Sequence, residues 1–127
     1  MTHPAKWDEH ELTEFFGVLP ETDEDELYLS FSIEKDGLRL LVTFFHYDFD
    51  VHLYLFRDGI DEPVLRTKIM SSAGAKYISH GNGYECLEIR ASDKYIQYYG
   101  KEWIVSMAVR LRVNPHISVE LFRPEAG

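Results

Sequence analysis

The chain has 127 residues, with 13 Lys+Arg against 22 Asp+Glu and a formal net charge of −9. That length suits one domain whose core needs no disulfide or structural metal, and an apolar share of 45% beside 28% charged residues excludes a disordered chain. The acidic balance argues against nucleic acid, whose binding relies on clustered Lys and Arg neutralising phosphates. The single cysteine, Cys86, forms no intrachain disulfide. The first eight residues lack the apolar run of a secretory leader, and no stretch approaches the ~20 apolar residues of a membrane-crossing helix. A cytoplasmic protein without membrane association is therefore expected.

The charge is uneven. Residues 1–26 hold nine acids and one base, Lys6, a net of −8, whereas residues 27–127 carry a net of −1. Within the acidic part, Leu12, Phe15 and Phe16 have the i, i+3, i+4 spacing of one helical face, and Trp7 extends that face. Asp8 is placed to cap the start and Gly17 to take the left-handed position after the end. Pro20 then stops the helix, and Glu21, Asp23, Glu24, Asp25 and Glu26 are expected to form a solvated connection.

From Leu27 the period changes to two. Leu27, Leu29, Phe31 and Ile33 alternate with polar residues as in a half-buried strand, and Asp36-Gly37 marks a hairpin turn. Further strands are expected over 38–46, 50–57 and 64–70, then 77–80 and 84–91 on either side of Gly81-Asn82-Gly83. Residues 93–99 read as either a short helix or a strand, residues 103–113 as a long strand. Asn114-Pro115 turns the chain into a last strand with Ile117, Val119 and Leu121 inward, and residues 123–127 form a tail. The expected fold is a single α+β domain. It is a mainly antiparallel meander, an open barrel or sandwich-like, with the N-terminal helix packed on the sheet.

Three clusters invite a chemical reading. If one strand runs through His46, Asp48, Asp50 and His52, these side chains share a face and offer Zn or Mn ligands, with a metal-bound water as hydrolytic nucleophile. Cys86 would need a base such as His80 to act as a thiolate nucleophile. Arg110 and Arg112 share a strand face on which a cross-strand ion pair with Glu120 is the simpler reading. His10-Glu11-Leu12-Thr13-Glu14 begins like a zincin helix but has Glu where the second His is required.

The charge layout points to protein binding rather than catalysis. Asp8, Glu9, Glu11, Glu14, Asp23, Glu24, Asp25 and Glu26 would steer a basic protein partner, with Tyr28 as an aromatic anchor. Small acidic proteins that neutralise toxins or escort secreted proteins share this size and charge. Exposed tyrosines on a sheet also suit a homodimer paired through a sheet edge.

Overall fold

A computed structural model describes residues 6–70, 72–79, 81–91 and 108–122. One helix, α1 (Glu9–Phe16), precedes eight strands: β1 (Tyr28–Lys35), β2 (Leu38–Phe45), β3 (Val51–Arg57), β4 (Leu65–Ile69), β5 (Gly74–Ser79), β6 (Glu85–Arg90), β7 (Ala108–Arg112) and β8 (Ser118–Phe122). They form two four-stranded antiparallel sheets, each in sequence order: β1-β2-β3-β4 and β5-β6-β7-β8. The α+β class and the antiparallel meander are as expected. Of the arrangements the sequence left open, the sandwich-like one fits the two separate sheets, which among the described residues do not close into a barrel. The readings of residues 93–99, of 103–107 and of the tail lie outside the described residues.

The helix forms where its ends are satisfied. The Asp8 carboxylate accepts from the Glu11 amide at 3.0 Å, and Gly17, at φ +73°, donates its N–H to Thr13 O. The buried face is Leu12, Phe15 and Phe16, as the spacing requires. Phe16 stacks on Phe31 of β1 at 4.6 Å and 19°, and meets Phe44 of β2 edge-on. Phe15 turns instead to Tyr77 of β5 at 5.4 Å. Trp7 packs edge-on against Phe44 and Phe49. The core joins this aromatic wedge to Leu29, Leu40, Val42, Val51 and Leu53 of the first sheet and to Leu87, Ile89, Val109 and Leu111 of the second.

Backbone ties hold the two sheets in place. The Ala75 amide donates to Lys6 O at 3.0 Å, so residue 6 runs along the open edge of β5. Gly74 permits this approach: at φ +144°, a Cβ there would lie 2.9 Å from Lys6 O. Its strand therefore begins at residue 74, three residues earlier than the sequence suggested. Buried Ser72 crosses between the sheets, its amide donating to Phe49 O and its hydroxyl to Arg90 O at 2.6 Å. Elsewhere Lys35 Nζ donates to Val113 O and Asn114 Oδ1, and His116 pairs with Asp36 at 2.9 Å.

Replacing Phe16 with Ala removes the ring that stacks on the first sheet. A loss of about 3–5 kcal/mol is expected in urea unfolding. Gly74→Ala should destabilise by more than ~1 kcal/mol through the clash with Lys6 O, whereas Gly59→Ala, with open space around it, should cost only its backbone strain.

Candidate functional site

The acidic residues divide by what they touch. Asp8 is held by its capping bond. Glu11 turns inward, and its Oε1 accepts from the Tyr77 amide at 2.8 Å, capping the edge of β5 from the helix. Glu9 and Glu14 are exposed. The acids after Pro20 are mostly exposed, as a solvated connection requires, and are clasped to the edge of β1. Glu21 and Ser30 exchange backbone hydrogen bonds at 2.8 Å, the Thr22 hydroxyl donates to Tyr28 O, and the Asp23 carboxylate accepts from the Leu27 amide at 2.6 Å. That last bond is the turn closure for which short acidic side chains are suited. Glu24, Asp25 and Glu26 stand exposed around it, Glu26 at φ +53°. Tyr28 is half-buried beside Phe45, ring centroids 6.2 Å apart.

The four residues considered for a metal do not share a strand face. Strand β2 ends at Phe45, residues 46–48 turn, and the Phe45 amide donates to Asp50 O at 2.9 Å to close the hairpin. The left-handed Phe49, at φ +57°, interrupts the alternation, and Tyr47 is 77% exposed. His46 accepts from the Trp7 indole at 3.4 Å, Asp48 lies at the turn, and His52 stands on β3 between Phe45 and Tyr54. Burial and the charge of Lys68 hold the His52 pKa below the usual imidazole range, partly offset by Asp50. Among the described residues no three His, Cys, Asp or Glu side chains gather as a metal site requires.

Cys86 lies on the outer face of the second sheet, in an open cleft of about 490 Å³ with Ile78, Asn82, Tyr84, Glu88 and Arg110. Burial, then the charge of Glu88, push its thiol pKa up, which opposes the thiolate a nucleophile needs. His80 is outside the described residues. Arg110 pairs with Glu120 at 3.3 Å, the cross-strand ion pair expected, and also with Glu88 at 3.5 Å. A second groove, about 610 Å³, runs where residues 6–8 meet β5 and β6 and is lined by groups of both signs, Lys6, Asp8, Glu11, Lys76, Glu88 and Arg90 among them.

The outer face of the first sheet carries a run of rings. Phe45, His52, Tyr54 and Phe56 follow one another at 4.8–6.4 Å, with Arg39 over Phe56 and Arg66 over Tyr54. The signal was available: Phe44 and Phe45 are adjacent, so one of them must face away from the core.

No protein-family profile matches the chain, and no curated protein matches it. Among solved structures, it resembles one chain of a contact-dependent growth inhibition toxin–immunity protein complex from Klebsiella pneumoniae 342. The TM-score is 0.72 over 91% of this chain and 92% of that one, at 14% identity. At that identity the likeness establishes a shared fold.

The helix–β5 junction makes two predictions. Glu11→Ala strands the Tyr77 amide and should cost about 1–3 kcal/mol in denaturant unfolding, against near neutrality for Glu9→Ala. Burial, with the hydrogen bond and charge of Glu85 and the charge of Glu14, pushes the Tyr77 pKa to about 12 from 10.0. The folded chain thus retains this proton after the unfolded chain has lost it. The Tyr77 contribution to stability is full below pH 10 and falls between 10 and about 12. Tyrosinate absorbance should show one late-titrating ring, absent in Tyr77→Phe.

Proposed function

We propose that this chain is a protein-interaction module of the immunity type, which binds and neutralises a basic toxin domain in the cytoplasm. The observation that carries the reading is the end-to-end likeness to a chain of a toxin–immunity complex. Of the two roles in that complex, the neutralising one suits this chain's chemistry. Nine acids against one base in residues 1–26 make an anionic end that complements a basic partner.

The binding residues proposed are Glu9, Glu14, Glu24, Asp25 and Glu26, with Tyr28 beside them. Asp8, Glu11 and Asp23 add to the same field, but each also closes a turn or caps an edge. The exposed acids are therefore carried on ordered backbone, which lowers the entropy lost on binding. Charge at the rim chiefly speeds encounter, and a few desolvated contacts hold the complex.

The test is co-expression with a growth-inhibition toxin domain encoded beside the gene. The wild-type chain should restore growth. Reversing Glu24, Asp25 and Glu26 to Lys should weaken binding to the purified toxin by roughly tenfold or more at low salt, while thermal stability stays near wild type. Asp23 is left in place because its carboxylate closes the turn. Full rescue and unchanged affinity in the reversed variant would remove the acidic clasp from the interface.

A further inference from the structure

The outer face of the first sheet has a charge order that is complementary to itself. Reading one register row across it, Glu21 pairs with Ser30, Ser30 with Thr43, Thr43 with His52, and His52 with Lys68. Directly paired residues on neighbouring strands share a face. An acid thus begins the row and a base ends it, four strand spacings or ~19 Å apart. Of the neighbouring rows, that of Ser32, Leu41, Tyr54 and Arg66 has a base at its β4 end, and that of Glu34, Arg39 and Phe56 an acid at its β1 end. The acids lie toward β1, the rings over the middle strands with Arg39 of β2 beside them, and two bases on β4. Arg110–Glu88, Arg110–Glu120 and His116–Asp36 are the ion pairs among the described residues, and Glu21, Glu34, Arg66 and Lys68 enter none of them.

We infer that this face docks a second copy of the chain, face to face, about a two-fold axis parallel to the strands. Such an axis reverses the order of strands and keeps position along them. It therefore sets Glu21 against Lys68 of the second copy, and Lys68 against the other copy's Glu21, with Thr43 near the axis. Glu34 falls opposite Phe56 of the second copy, over whose ring Arg39 lies. The small Ser30 and Ser32 leave room beside the larger groups on the opposite strands, and Leu41, Phe45, Tyr54 and Phe56 lose water between the two sheets. Two aligned sheets pack in this way at ~10 Å, and an isologous pair makes each contact twice. Four strands of five to eight residues offer a small face, so a dimer reversible on dilution is expected. The inference is independent of the toxin reading, because it needs no other partner.

Sedimentation velocity on the purified chain, from roughly 5 µM to 1 mM, is the test. A monomer–dimer equilibrium that weakens with salt is expected. Glu21→Lys alone and Lys68→Glu alone each replace two attractions with two repulsions and should weaken dimerisation by about tenfold or more. The double variant Glu21→Lys/Lys68→Glu should regain the dimer, and so should an equimolar mixture of the two single variants. Residues ~19 Å apart in one chain cannot produce that rescue within a monomer. Far-UV circular dichroism confirms folding, and Glu21→Arg with Lys68→Asp serves as a second pair if either variant fails to fold. A chain that stays monomeric throughout overturns the inference and leaves the face to a partner of other composition. A dimer indifferent to these reversals, or singles that neither the mixture nor the double variant rescues, overturns it as well.

Discussion

Phe15 and Phe16 are consecutive, and their rings reach different sheets. Phe16 lies flat on Phe31 of the first sheet, and Phe15 meets Tyr77 of the second. Both rings are nearly fully buried, and Leu12 beneath them is 1% exposed. A sheet with one apolar face must cover it, and a short helix can serve two sheets only if its apolar arc is wide. Trp7 widens that arc toward Phe44 and Phe49. With the helix so placed, residue 6 is brought to the edge of β5 and Glu11 to the Tyr77 amide. The wedge therefore also determines how one outer strand edge is covered, which keeps it from pairing with other chains.

The same placement sorts the acids by role. A helix buried on the Leu12–Phe15–Phe16 face turns Glu9 and Glu14 outward and Glu11 toward β5. On the other side of Pro20 the chain returns along β1, and the backbone exchange between Glu21 and Ser30 makes an acidic margin of the first sheet. The charge that looked like the property of a separate segment is in fact fixed to the folded core at both ends. An anionic margin already ordered by the fold is what the proposed electrostatic steering of a basic partner requires.

Much of the fold was legible because local signals agreed with one another. The i, i+3, i+4 spacing, the Asp8 cap and Gly17 each indicated the same helix, and Asp36-Gly37 and Gly81-Asn82-Gly83 each lie at a hairpin. What was not legible depended on non-local approach. Gly74 was read as loop, since nothing in the sequence shows that Lys6 would lie against it. The His46–His52 stretch alternates as a strand should, yet a left-handed Phe49, a conformation uncommon for a bulky residue, breaks the period, and Tyr47 is exposed. Of the candidate site, the acids were visible as a charge excess. The closing role of Asp23 and the edge-capping role of Glu11 were not, because each depends on a backbone amide that the fold delivers. The row from Glu21 to Lys68 spans 47 residues of sequence and exists only through register.

The account rests most on electrostatic recognition at the acidic margin. Stopped-flow association of the chain with the toxin domain proposed as its partner, across ionic strength, addresses this directly. The predicted result is an association rate that falls by roughly ten- to a hundredfold between about 50 mM and 500 mM salt, with a dissociation rate that changes far less. An association rate indifferent to salt would contradict the account, since the acids would then take no part in bringing the partners together.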